Sequence, residues 1–355
     1  PSKVKIDGSV YTVTGIVNSA FADCKSLTYV KVSGGVTNMG AFTFSGCENL
    51  KTVVLGDGIK KISNSLFEGC ASLSDINIPA SVTEIDGTAF EGCASLTSID
   101  IPANVTNIVE YAFSGCKNLA SINVDDKNTT YASVDGVLYN KEKTILIQAP
   151  GKIQGVFTIP SGVTNIASGA FALCEGLTGL EIPASVTSIS EYAFENCTGL
   201  TNVTIPSSVK NIDYKAFAGC ENLDVVIRNA EEDVTVGSNA FKGCKSVTWK
   251  IIDGSESPLK FKVLTETTAE VTKENCVEGS VTIPSKVVID GKTYSVVSIA
   301  DYAFKNCKDL TGITIPSSVV KIGTGAFQSS GLTTIELPSS ITSIGLSLFL
   351  GCSDL

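Results

Sequence analysis

The chain has 355 residues and 37.0 kDa, 43% of them hydrophobic and 17% charged, with a net charge of −10, twelve cysteines and no histidine. The apolar fraction is ample for burial, and so few charges do not describe a disordered chain. The acidic balance argues against a nucleic-acid or anionic-membrane partner, and the absence of histidine excludes His-based triads and most zinc or non-haem iron sites.

No apolar run approaches the roughly 18 residues that span a bilayer, so no membrane insertion is expected within the chain. It starts at Pro1 and stops inside a repeat at Gly351–Leu355, which reads as a processed or truncated piece of a longer protein. From the first residues onward the pattern is periodic. Phe21, Phe44, Phe67, Phe90 and Phe113 are spaced 23 residues apart. The series resumes at Phe171, Phe194 and Phe217, slips by one to Phe241, and returns at Phe304, Phe327 and Phe349, which makes twelve copies.

The frame is clearest over residues 96–116, LTSIDIPANVTNIVEYAFSGC, and reads L-x-x-I-x-I-P-x-x-V-x-x-I-x-x-x-A-F-x-x-C. L-x-x-I-x-I predicts a short strand with Leu96, Ile99 and Ile101 inward. The proline that follows, as at Pro79, Pro102, Pro183, Pro206 and Pro316, lacks an N–H donor and ends it. V-x-x-I predicts a second extended piece, and A-F-x-G-C predicts one helical turn stopped by glycine. One such unit cannot bury five or six apolar side chains alone, whereas stacked units can, so the expected architecture is a solenoid.

Two interruptions break the period. Between Phe113 and Phe171 the step is 58 residues, and Asp135-Gly136 and the KEKT tract predict β-hairpins, about residues 125–157, projecting from one edge. Between Phe241 and Phe304 the sequence restarts: residues 284–304 match residues 1–21 at twelve of twenty-one positions. Residues 259–283 precede the second copy and predict strands that cover the end of a solenoid. The polar tract Gly254–Pro258 predicts a module boundary. The expected domains are a first module, 1–252, and a second, 253–355, consisting of cap strands and the start of another repeat array.

The repeat frame resembles the leucine-rich repeat of the BspA-like bacterial surface proteins, the class with a 23-residue period. The resemblance implies an α/β, β-rich, right-handed leucine-rich-repeat solenoid: a parallel strand ladder with short helical turns, a hairpin insertion and a β cap. It departs from the common leucine-rich repeat in lacking an asparagine ladder after the strand. Ser81, Asn104, Ser185, Ser208 and Ser318 stand there, leaving its hydrogen bonding to serine or backbone.

Eleven cysteines, Cys24, Cys47, Cys70, Cys93, Cys116, Cys174, Cys197, Cys220, Cys244, Cys307 and Cys352, fall three residues after the marker phenylalanine. Equivalent side chains on coils ~4.8 Å apart point the same way, which is poor geometry for a bridge. The expectation is a buried ladder of these eleven, with close to twelve free thiols in the denatured chain. Cys276 lies off the ladder, in the cap segment, and is the candidate for reactivity, although a core position is expected for it too.

Asp125–Asn128 lacks the spaced ligands and glycine of a calcium loop and reads as a solvated turn, as does Glu231–Asp233. No phosphate-loop or nucleophile-elbow motif occurs, so neither an enzyme activity nor a cofactor or metal is expected. The outward positions of the first strand are small, polar and mostly uncharged, as a solvated, threonine-rich sheet surface would be. The sharper candidate is a ligand-binding strip at Asp75, Asn77, Asp100 and Asn123, flanked by Tyr29 and Lys31. The family resemblance implies a cell-surface or secreted, non-enzymatic adhesion protein with a protein or glycan ligand on host or neighbouring cells. A rigid spacer and a glycan-binding module are the alternatives.

Overall fold

The structure is a computed structural model that describes residues 3–6, 9–229, 234–251, 257–272, 276–289 and 291–355. The chain winds as a parallel β-solenoid of about 14 turns. Each regular repeat contributes two short strands, and each strand pairs in parallel with its counterpart one period away. In the first ladder Tyr29–Lys31 pairs with Thr52–Val54 and that strand with Asp75–Asn77. Further along, Leu177–Glu181, Asn202–Ile205, Asp224–Ile227 and Ser246–Trp249 follow one another in the same way. The second ladder is built from two-residue strands such as Lys61–Ile62, Glu84–Ile85 and Asn107–Ile108.

Sequence predicted a helical turn around A-F-x-x-C, and the structure corrects this: no helix occurs among the described residues. The cause is backbone handedness. The residues two before and two after every marker phenylalanine have positive φ, as at Thr88 (53°) and Gly92 (70°) around Phe90. That alternation turns successive N–H groups along the solenoid axis instead of into a helix. Phe67, Phe90 and Phe194 donate their N–H groups to Ala89, Ala112 and Ala216 of the next coil. The glycine read as a helix stop is instead a link in a third line of coil-to-coil bonds.

Inside, the phenylalanines stack in series, with ring centroids 5.5 to 5.7 Å apart from Phe21 to Phe113 and 4.8 Å apart between Phe194 and Phe217. Beside them runs the thiol ladder. Cys70, Cys93 and Cys116 are fully buried, and each Sγ–H donates to the carbonyl of the phenylalanine one coil back, at 3.1, 3.2 and 3.1 Å. Ser330 takes the cysteine position in the coil of Phe327, with its Oγ 3.4 Å from Cys352 Sγ. Serine also does the work expected of it after the strand: Ser81, Ser185 and Ser318 donate to Ile59, Val163 and Val296 carbonyls. Asn104 instead donates to the Ala80 carbonyl, and the buried Ser208 Oγ has no partner among the described residues. Two residues after the cysteine, Asn49, Asn118 and Asn222 bond carbonyls of the preceding coil, but Ser72, Ser95, Gly176 and Gly199 stand between them, so they form no continuous ladder.

Two cysteines depart from the expectation. Cys276 is exposed and forms a disulfide with Cys307, Cα to Cα 5.0 Å, leaving ten free cysteines. The same-direction argument holds between ladder positions, but Cys276 reaches Cys307 from the connection between the strands Thr268–Thr272 and Gly279–Thr282, outside the ladder.

The insertion also differs from the projecting hairpin expected. Tyr131–Val134 and Val137–Asn140 pair antiparallel across Asp135-Gly136, both with positive φ, and Ile145–Gln148 then joins the second ladder beside Asn165–Ile166. Gly136 is required twice over, since a Cβ there would also meet Ser121 Cα at 2.9 Å. The hairpin lies within the solenoid. Tyr131 and Leu138 pack into the apolar cluster of the coils before it, while Val137, Tyr139 and Leu146 pack into the cluster of those after. A third cluster forms around Phe304 and Phe327 and includes Leu259, Ala269, Val271, Val281 and Ile283 of the segment before them. Of the expected boundary tract Gly254–Pro258, residues 254–256 fall outside the described residues, as does all of Glu231–Asp233.

Three predictions follow from the backbone and the thiols. Gly92→Ala, at φ 70°, should cost about 1–2 kcal/mol in urea denaturation. Gly162→Ala, with open space around its Cβ and no positive φ, should be neutral or gain about 0.4–1 kcal/mol. Burial pushes Cys70, Cys116, Cys174 and Cys244 up to about 12 from an ordinary 9.0. A raised pKa means that unfolded thiols ionise first, so stability is full below about pH 9 and falls as pH rises from there towards 12. Thiol titration of unreduced, denatured protein should give ten groups, and of native protein very few.

Candidate functional site

The first-strand ladder presents its outward side chains in rows, because parallel pairing in register sets equivalent residues side by side. Tyr29, Thr52 and Asp75 form one row, and Lys31, Val54 and Asn77 the next. Tyr29 is 54% exposed, and Lys31, Asp75 and Asn77 are exposed as well. Asn77 is bonded to the main chain: its Oδ1 accepts from Leu55 N–H at 3.0 Å and its Nδ2 donates to Leu55 C=O at 3.3 Å. It thus closes the strand pair beside it, and its amide is already committed.

Asp100 and Asn123 are direct partners across the pair Ser98–Ile101 and Ser121–Val124, and Asn123 Nδ2 donates to Asp100 Oδ1 at 2.9 Å. The structure brings these two together. Between Asp75–Asn77 and Ser98–Ile101 the described residues form no strand pairing, so the four positions fall into two patches, one either side of a break in the ladder. Asp125 to Lys127 form the exposed turn expected, but Asn128 does not belong to it. Its buried side chain donates to Pro102 and Val105 carbonyls and accepts from Thr130 and Tyr131 N–H groups, so it pins the turn to the coil beneath.

Farther along the same face lies a region that the sequence reading did not single out. Thr158 Oγ1 donates to Glu181 Oε2 at 2.7 Å, and Asp224 accepts from Lys245 Nζ at 2.7 Å and Ser246 Oγ at 2.6 Å. Those two donors hold the exposed Asp224 carboxyl below its ordinary pKa. A cavity of about 540 Å³ opens beside it, lined by Glu181, Asn202, Thr204 and Arg228 on one side and by Pro258 and Ser280–Thr282 on the other. Thr282 Oγ1 reaches across to the Ala184 carbonyl at 3.2 Å. Arg228 is the single arginine of the chain, and that compositional fact was the available signal. Among the described residues no three His, Cys, Asp or Glu side chains are grouped to hold a metal.

The arrangement is that of a leucine-rich-repeat β-solenoid. The family profile of the BspA type leucine rich repeat region matches residues 14–134, 153–258 and 275–355 in six copies, and the chain belongs to that family. No curated protein matches it. Among solved structures it is similar to a leucine-rich repeat protein from Bacteroides ovatus, 26% identical, TM-score 0.51, with 100% of this chain and 84% of that one covered. It is also similar to a leucine-rich repeat protein from Eubacterium ventriosum, at 22% identity, TM-score 0.52 and coverages of 96% and 89%. The pneumococcal vaccine antigen PcpA gives 19% identity, TM-score 0.56 and coverages of 98% and 87%. The last two likenesses show the fold alone. No helix among the described residues is long and apolar enough to cross a membrane.

Proposed function

We propose that this chain is a non-enzymatic, extracellular interaction module that binds a protein or glycan on host or neighbouring cells through its first-strand face. The observation that carries the reading is the face itself: rows of exposed, small and polar side chains repeated coil after coil, with Tyr29, Lys31, Asp75, Asp100 and Asn123 among them. Such a surface offers many weak contacts at a fixed ~4.8 Å spacing rather than one deep pocket, and it gains affinity by multivalency. Aromatic and arginine anchors of the kind that dominate compact protein interfaces are sparse on it.

An extracellular location is supported by the Cys276–Cys307 disulfide, since such bonds persist mainly in oxidising compartments. On this reading the chain consists of two modules, 1–252 and 253–355, and the cavity is lined by Asn202 and Arg228 of the first and Thr282 of the second. That cavity favours a second reading, a glycan contact, because it sets Asn, Thr, Ser, Glu and Arg side chains suited to sugar hydroxyls among the apolar Leu180, Ile182, Pro206 and Val281, against which a sugar ring can pack.

Combined substitution Asp75→Ala, Asp100→Ala and Asn123→Ala should lower binding of the intact chain to matrix proteins or mucin at least about tenfold, the loss of about 1.4 kcal/mol spread over three contacts, while thermal stability stays unchanged. Unchanged binding removes the strip. Asn77 is left out of the set because its amide bonds Leu55, so its removal would mix stability with binding.

A further inference from the structure

The internal duplication supplies a control within one chain. Residues 284–304 correspond to 1–21, an offset of 283, and the correspondence runs on through Cys307 and Cys24, Leu310 and Leu27, Ile313 and Val30, and Val319 and Val36. Both copies open with a hairpin in the same register, Lys3–Ile6 with Ser9–Thr12 and Lys286–Ile289 with Lys292–Ser295. What precedes them in space differs.

In the second copy a lead-in segment covers the end of the coil. Its strand Thr268–Thr272 pairs in parallel with Lys292–Ile299, and Gly279–Thr282 pairs in parallel with Leu310–Thr314. Ala269, Val271 and Val281 are buried beneath, and Cys276 is bonded to Cys307. In the first copy the equivalent strands, Gly15–Ile16 and Tyr29–Lys31, are paired on one side only. Phe21 is 41% exposed where Phe304 is 2%, and Leu27 is half-buried where Leu310 is fully buried. An open apolar groove of about 760 Å³ remains, lined by Val13, Ile16, Phe21, Leu27 and Val30. Cys24, the counterpart of the disulfide-bonded Cys307, is a free, partly exposed thiol beside it.

We propose that this end of the solenoid is a docking site for a second copy of the lead-in sequence: an extended, cysteine-bearing β-segment with the pattern of residues 257–283, which adds a strand to each open edge and bonds covalently to Cys24. Open strand edges supply the main-chain hydrogen bonds, the groove takes the alternate apolar side chains, and the cysteine sets the register. The covalent step is thiol–disulfide exchange. The Cys24 thiolate attacks the segment's cysteine sulfur in a mixed disulfide with a small thiol such as glutathione. One S–S bond forms, one breaks, and glutathione leaves as the thiol, with no net oxidation.

The test adds to the full chain a synthetic peptide of residues 257–283 whose Cys276 carries glutathione as a mixed disulfide. The expected result is one peptide per chain, attached at Cys24, with one glutathione released and a rate at least about tenfold above that of a scrambled peptide, the gain from holding the two sulfurs together. In the Cys24→Ser chain the covalent link is lost, while amide exchange at Tyr29–Lys31 still slows when peptide is added. Equal rates for ordered and scrambled peptides, attachment at Cys352 or another cysteine, or unchanged exchange in Cys24→Ser would each overturn the proposal. So would a sedimenting dimer whose protected amides lie at Gly15–Lys31 of one chain and at the exposed Ile344–Leu350 coil of the other, because a whole second chain would then fill the groove.

Discussion

A coil of 23 residues in this chain cannot satisfy its own main chain. Outside Lys292–Ile299 its strands are two to five residues long, no helix occurs among the described residues, and the strand N–H and C=O groups point to the neighbouring coils. Turns within the coil satisfy some main-chain groups, as where Cys70 N–H donates to Phe67 C=O and Leu73 N–H to Cys70 C=O; the other buried groups have to meet a partner in a neighbouring coil, because an unpaired buried amide costs about 1–3 kcal/mol. The constraint fixes the period, since an added or missing residue would turn the ladder out of register. Where the period slips, the structure shows the adjustment: Phe217 donates to Ala240 across the longer step to Phe241, and Ser330 stands in for cysteine in the coil that is one residue short.

The same constraint explains the buried sulfur. A parallel stack must place like residues over like, so the position beside the phenylalanine stack needs a side chain that tolerates its own copies. Cysteine meets both demands: it is small and apolar enough for a fully buried site, and its S–H can bond the carbonyl one coil back. Side-chain bonds from Ser81, Ser185 and Asn118 repeat the device with other donors. The interior therefore carries polar atoms at every coil without breaking the apolar column.

Much of this was legible in the sequence because a period makes each position visible many times. The inward residues Leu96, Ile99 and Ile101 and the buried thiols came from spacing, and the Asp135-Gly136 turn from its residue types. Backbone handedness did not. The position two before each phenylalanine holds Ser, Phe, Thr, Tyr, Lys, Asn or Gly, so no glycine signature marks its positive φ, and the glycine on the other side suggested a helix stop. The Cys276–Cys307 bond joins residues 31 apart from two unlike segments, outside any periodic argument. The outward strip was readable as composition, but the break between Asp75–Asn77 and Ser98–Ile101 depends on ladder continuity, which spacing does not report.

The proposed sites fall where repetition stops: the two patches beside the ladder break, the cavity around the single arginine, and the open coil at Phe21. All rest on coils whose strands and phenylalanine segments are bonded to their neighbours. Native-state hydrogen exchange at the Phe67, Phe90 and Phe194 amides tests that claim most directly. Their N–H groups are donated to Ala89, Ala112 and Ala216 of the next coil, so they should exchange only through large-scale unfolding, as slowly as the strand amides of Val53 and Val203. Rapid exchange at those three amides, with the strand amides still protected, would contradict it.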